Sequence, residues 1–302
     1  MRVWVTGGAG FVGSHLVDRL LADGHRVDAL DDLSGGRLSN LAEARGRQGF
    51  SFHQIDVLAE ELVALAERHE PDVIVHLAGR VIRPGGLPDP VEEGRLTVLG
   101  ALRVLEAARG VGSCVVGVVH ATPDTDQAPA TPAEVSAWTV VDHLRLQREA
   151  YGVETVCVAL TNVYGPRQQV NGRGPLVAAM VDNAAVGRPL EVHGGDHRRD
   201  LLFVDDAVDA LARCVERRPH GVVPVGSGIV VAPSEVAALV AGGLADDSTP
   251  TVVTGPARTR DAARPPWPTE PARQLLGWEP WTPLEDGIAA TVMARLAETH
   301  GS

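Results

Sequence analysis

Short, continuous apolar runs alternate with longer stretches whose apolar residues recur every three to four positions. Residues 3–5, 26–30, 50–55, 72–76, 114–119 and 154–160 have the first pattern, that of strands buried on both faces. The second pattern predicts helices. Phe11, Leu16, Val17, Leu20 and Leu21 fall on one face of a helix after the first strand. Helical periodicity returns over 58–69, over 90–109 (Leu96, Leu99, Leu102 and Leu105 at helical spacing) and over 133–151. Strands and helices alternating with short connections predict an α/β fold built on a doubly wound parallel sheet over residues 1–161. From Asn162 onward the pattern breaks into loops and four helical stretches, at 176–186, 204–216, 234–242 and 284–298. That part reads as a smaller C-terminal substrate lobe, residues 162–302, made of discontinuous segments, with segments of 190–230 returning to the first domain.

The join between the first strand and first helix carries Gly7, Gly10 and Gly13, spaced G-x-x-G-x-x-G. The first glycine allows a tight turn, the second a close approach of backbone to a pyrophosphate, and the third close packing of helix on strand. The helix start at Phe11 and Val12 then offers free N–H groups to the anion. Asp31 ends the next strand, where a carboxylate accepts hydrogen bonds from an adenosine ribose. Asp32, Ser34 and their glycines form a turn-rich loop suited to the adenosine side of a dinucleotide. Strand, glycine turn, helix and distal acid together make a dinucleotide site, so the pattern is more than a glycine-rich turn.

Composition narrows the picture. The chain has 302 residues, enough for a full core, and a formal charge of −12 without a basic stripe, which argues against nucleic-acid binding. All 27 basic residues are arginine, so no lysine is available to any mechanism. Cys114, Cys157 and Cys214 sit in apolar stretches without metal-ligand spacing and read as buried free thiols of a reducing cytoplasm. No apolar run is long enough for a bilayer, and Met1 leads straight into the first strand, so neither a leader nor a membrane partner is expected.

With these residues in view the chain resembles the extended short-chain dehydrogenase/reductase family, and within it the NAD-dependent nucleotide-sugar epimerases and dehydratases. Thr6-Gly7-Gly8-Ala9-Gly10-Phe11-Val12-Gly13 is similar to the family's cofactor loop, and Asp31-Asp32-Leu33-Ser34 to its ribose loop, which implies NAD rather than NADP. Asp56-Val57 falls where the family contacts adenine, and His76-Leu77-Ala78-Gly79 resembles its His-Leu-Ala-Ala turn. Asn162-Val163-Tyr164-Gly165-Pro166-Arg167 and Arg199-Asp200 resemble the segments that meet the sugar nucleotide, with Asn162 and Arg199 the expected contacts; for Arg199 a structural salt bridge is the alternative. Leu276-Gly277-Trp278-Glu279-Pro280 is similar to a C-terminal turn of the family. The resemblance implies NAD as cofactor, a nucleotide sugar or related metabolite as ligand, and a homodimer paired through helices 90–109 and 133–151.

The family's catalytic residues are a Ser/Thr after the fifth strand and a Tyr-x-x-x-Lys on the next helix. Here Val119, Ala133 and Ala137 stand in those slots. Thr97, Ala159 and Pro268 replace an asparagine, an arginine and an aspartate of the family pattern. His120, next to Val119, reads either as a replacement general base or as a surface histidine. Asp124 and Asp126 read as turn-formers in the same loop, Trp138 as packing and Asp142 as a solvated helix position. His193, Asp196 and His197 lack a third well-spaced ligand, so no metal is expected. Two readings stand: an enzyme whose acid/base groups have moved, or a non-catalytic NAD-binding sensor, scaffold or silent partner of an active paralogue.

Overall fold

Runs of valine, isoleucine and alanine with no polar alternation build a sheet that is covered on both faces. The computed structural model describes residues 1–79, 89–120, 129, 131–170, 175–193, 198–244, 251–255 and 266–300. Seven strands pair in parallel: β1 (Arg2–Thr6), β2 (Arg26–Asp31), β3 (Phe50–Gln54), β4 (Val73–His76), β5 (Cys114–Val119), β6 (Thr155–Leu160) and the later β10 (Gly221–Val225). Their spatial order is β3-β2-β1-β4-β5-β6-β10. Val3, Trp4 and Val5 have no solvent exposure, so β1 lies at the centre of the core.

The chain order reverses between β1 and β4, and such a reversal opens a crevice at the carboxyl ends of the strands. Helix α1 (Phe11–Ala22) follows β1, and α2 (Glu61–His69) precedes β4. The helical run before β5 has three parts: α3 (Pro90–Glu93), a π-helical stretch (Gly94–Leu99) and α4 (Gly100–Val111). The sequence pattern treated this run as one uniform helix, because Leu96, Leu99, Leu102 and Leu105 recur at three-residue steps across the π turn. Helix α5 (Pro132–Tyr151) starts at a capping box in which Thr131 Oγ1 accepts from the Glu134 amide and Glu134 Oε2 accepts from the Thr131 amide.

Strands also occur beyond Asn162, where the sequence showed loops and helices. β7 (Asn162–Tyr164) and β9 (Arg199–Phe203) pair in parallel, and β11 (Val230–Val231) joins β9 antiparallel. A two-stranded parallel sheet holds β8 (Leu190–His193) and β12 (Val252–Gly255). These strands have two to five residues. β10 escaped notice because it contains Pro224, which is tolerated at its position on the sheet edge. The remaining helices are α6 (Leu176–Ala185), α7 (Val204–Arg217), α8 (Pro233–Gly242), α9 (Glu270–Leu276) and α10 (Leu284–His300).

A buried ion-pair cluster closes the opposite side of the β1–β3 region. Asp28 Oδ2 accepts from Arg2 Nε at 2.7 Å and Trp4 Nε1 at 3.0 Å, with His53 and His69 beside it. These two imidazoles and the carboxylate lie close enough to hold a cation, and the Arg2 guanidinium takes that place.

Candidate cofactor and substrate cleft

The glycine loop sits at the β1–β4 reversal. Gly7 has φ +70°, and a Cβ there would come within 2.9 Å of Ala78 N and the Leu77 carbonyl carbon. The Leu77-Ala78 turn therefore abuts the glycine loop, as the sequence placed it, with Gly79 following on the surface. A Cβ on Gly10 would meet the Gly7 oxygen at 3.0 Å. Gly13 has a different role from the one expected of it. Its Cβ would overlap the Gly7 carbonyl oxygen, so it packs on the loop itself and not on the strand. Gly8, which the glycine spacing does not single out, has the strand-packing role: a Cβ there would sit 2.7 Å from Ala29 Cβ.

Gly10 caps α1 with no side-chain hydrogen bond, so the first-turn amides at Phe11 and Val12 are left for an anion. This cradle, open to backbone approach and without acidic residues in the first turn, fits the pyrophosphate of a dinucleotide.

Asp31 is 7% exposed, and its two oxygens accept from Ala9 N at 3.0 Å and Leu33 N at 2.8 Å. Burial raises its pKa above the ordinary carboxylate value, against the lowering by those two amides. Gly36 lies over it, where a Cβ would come within 2.7 Å of Oδ1. The loop folds back further through Arg37 N and Asn40 Nδ2, which both donate to the Ala9 carbonyl. Asp32 and Ser34 turn toward each other: Asp32 Oδ1 accepts from the Ser34 amide at 2.9 Å and its hydroxyl at 2.7 Å. On the next strand end, exposed Asp56 caps the Leu58 amide, while Val57 is buried beneath Gly100 of α4.

Thr6, which ends β1, was missed as a site residue, although a polar side chain closing an apolar strand before a glycine run is a readable signal. Its Oγ1 accepts from Ala78 N at 3.2 Å and lies 2.8 Å from His76 Nδ1. Burial alone drives the His76 pKa down to about 4.

Asn162 Nδ2 donates to the Asp200 carbonyl at 3.1 Å, which brings the Asn162 loop beside half-buried Arg199. Asp200 itself ties Ser227, Gly228 and Trp267 together through their amides. Val119 is 3% exposed and Ala137 5%, and both belong to one apolar cluster with Ala101, Ala159 and Trp267. Ala133 is half-buried. His120 follows β5 at the carboxyl edge and is exposed to solvent. Trp138 is half-buried, and Asp142 is exposed near Arg145. Asp124, Asp126, Asp196, His197 and the side chain of His193 lie outside the described residues.

Neither tyrosine occupies the cleft as a free hydroxyl. Tyr164 is buried, its hydroxyl donates to the Leu284 carbonyl at 3.4 Å, and burial pushes its pKa up. Tyr151 is exposed at the far end of α5 with Arg109 over its ring.

A reversed-order parallel sheet, a glycine cradle and a buried acid at the second strand define a dinucleotide-binding α/β protein. Residues 3–226 match the NAD dependent epimerase/dehydratase family, and the chain belongs to it, within the extended short-chain dehydrogenases/reductases. The chain is 38% identical over 97% of its length to a UDP-glucose 4-epimerase of Mycolicibacterium smegmatis, 97% of which is covered. Its fold is similar to that of a UDP-glucose 4-epimerase from Thermotoga maritima solved with UDP-glucose, with TM-score 0.89, 26% identity and complete coverage of both chains. A UDP-glucose 4-epimerase from Thermus thermophilus in complex with NAD matches with TM-score 0.85 and 29% identity, over 97% of this chain and 98% of that one. The cofactor is NAD.

Proposed function

We propose that this protein binds NAD and a nucleotide sugar and interconverts the sugar through a transient ketone, with acid/base groups outside the family's serine, tyrosine and lysine slots. The observation that carries the reading is the glycine cradle with Asp31 beside it, while buried Val119 and Ala137 and half-buried Ala133 stand where the family's serine, lysine and tyrosine are expected. Bound NAD supplies a reversible hydride acceptor. The chain's own part is to hold the pyrophosphate on the Gly7–Gly13 loop and the ribose at Asp31. Asn162 and Arg199 are assigned to the sugar nucleotide, and His120 is a candidate general base. Residues 1–161 with β10 form the cofactor domain, and the segments after Asn162 supply most of the sugar side. No helix among the described residues is long and apolar enough to cross a membrane, and three buried thiols suit a reducing compartment such as the cytoplasm. The α3–α5 face, with exposed Val91, Leu99 and Val135, is assigned to pairing with a second copy or an active paralogue.

The three apolar slots also favour a second reading, a non-catalytic NAD-binding partner. Incubation with NAD and a panel of nucleotide sugars in D₂O, read by mass spectrometry, separates the two. A new product or deuterium uptake establishes the enzyme, whereas binding of both ligands without change establishes the silent partner. Asp31→Ala should weaken NAD by about 1–3 kcal/mol through lost ribose hydrogen bonds. Unchanged affinity would remove Asp31 from the cofactor site.

A further inference from the structure

The helical run from Pro90 to Val111 ends just before β5, so its N-terminal part lies at the carboxyl edge of the sheet, where the cleft opens. Ala101, Val104, Leu105 and Ala108 form its buried stripe, in the same cluster as Val119 and Ala137. One and two turns nearer the carboxyl edge, at spacings of four, the stripe continues as Thr97 and Glu93. Glu93 is a carboxylic acid only 4% exposed. Its Oε1 accepts from the half-buried Thr97 hydroxyl at 2.8 Å. Thr97 lies in the π-helical stretch and Glu93 caps its start, a rare geometry concentrated at functional sites. The same stretch packs against the start of α5, where Ala133 and Ala137 stand. A half-buried hydroxyl that donates to a buried carboxylate is the arrangement in which a base acts through a hydroxyl relay.

We propose that Thr97 and Glu93, in place of His120, form the acid–base pair of this cleft. The inference rests on the reading that NAD and a nucleotide sugar occupy it. In the forward step the sugar hydroxyl gives its proton to Thr97 Oγ1, and Thr97 passes its own proton to Glu93 Oε1. The carbinol C–H leaves as hydride to the nicotinamide, so the sugar is oxidised to a ketone by two electrons and NAD is reduced. The same proton returns from Glu93 through Thr97 when the ketone is reduced again. Serine at position 97 preserves the relay, whereas valine has the shape without the proton path.

The test uses the full chain with NAD and whichever nucleotide sugar of the panel binds. It follows bound reduced nicotinamide in a single turnover beside equilibrium affinities for both ligands. Glu93→Gln and Thr97→Val should each slow reduction by about 10²- to 10⁴-fold while both affinities stay within a few-fold, and Thr97→Ser should recover most of the rate. Thr97→Val guards against a folding failure of Glu93→Gln, since it leaves the carboxylate in place. Retention of the rate in Thr97→Val, or loss in Thr97→Ser equal to that in Thr97→Val, overturns the relay. Wild-type protein that binds both ligands but forms no reduced nicotinamide overturns the pair and leaves the binding reading intact. Failure of the wild type to bind any sugar nucleotide defeats the proposed function itself.

Discussion

At the residue scale, Thr6 and His76 show how the centre of the cleft is set. They are register partners on β1 and β4, side by side where the strand order reverses. Thr6 Oγ1 accepts from the Ala78 amide and also lies 2.8 Å from His76 Nδ1, so the threonine ties the turn after β4 to the histidine that ends that strand. With a folded pKa of about 4 against 6.5 for the free side chain, the unfolded chain takes up a proton first as pH falls. Stability contributed by neutral His76 is present above pH 6.5 and declines between 6.5 and 4, by about 3 kcal/mol in total. Below 4 both states are protonated and this loss stops. Denaturant unfolding across that window should therefore show a slope that His76→Gln flattens; an equal slope in the variant would place the titration elsewhere. Asp28 contributes acid sensitivity lower on the scale. Burial would raise its carboxyl, but the Arg2 guanidinium brings it below the ordinary value, so its stabilisation is lost below the usual carboxylate range. The sequence made Gly7, Gly10 and Asp31 legible because their spacing follows from ligand geometry. Thr6 and Gly8 became evident only from what packs on them, and no spacing announces that Ala29 meets Gly8.

At the element scale, the six strands of the first half were readable because each is a continuous apolar run bounded by turn residues. The strands after Asn162 were not, since their pairing is decided by partners distant in sequence, as where Val230 lies opposite Asp200. The π turn at Gly94–Leu99 left no mark because Leu96, Leu99, Leu102 and Leu105 keep helical spacing through it. Leu99 is 42% exposed, so part of that apolar stripe faces outward. Val91 (79%) and Val135 (50%) are exposed beside it, and Pro90, Val98 and Val135 line a groove of about 460 Å³ between α3 and α5. A shallow apolar groove between two helices suits helix packing against a second copy. Under the proposed pairing, the unmodified protein should be a dimer by light scattering and Val135→Glu a monomer with an unchanged far-ultraviolet spectrum. A dimeric Val135→Glu protein would move the pairing surface to another face.

At the scale of the whole molecule, the cofactor domain and the segments after Asn162 are fastened through α1. Asp18 Oδ2 accepts from Arg167 Nη1 at 2.7 Å, with the two side chains 16% and 20% exposed. His15 Nε2 lies 3.0 Å from the Pro166 carbonyl; burial lowers its pKa first, so the neutral ring donates there. The helix that begins under the cofactor pyrophosphate thus grips the loop leaving β7, which carries Asn162 at its start. Arg167 also has φ +65°, a left-handed conformation that favours glycine over a residue with Cβ. Two effects of opposite sign therefore meet at one position. Arg167→Ala loses the ion pair and keeps the backbone cost, whereas Arg167→Gly loses the pair and relieves that cost. A pair partly shielded from water lies between exposed and buried limits, so Arg167→Ala should cost about 1–3 kcal/mol. Arg167→Gly should be more stable than Arg167→Ala by about 1 kcal/mol in denaturant unfolding. Under the proposed function both variants should weaken sugar-nucleotide binding about tenfold and leave NAD within about twofold, because the glycine loop is untouched. If NAD and sugar-nucleotide affinities fell equally, the grip would be acting through α1 on the cofactor cradle itself, and the β7 loop would not be the part it positions.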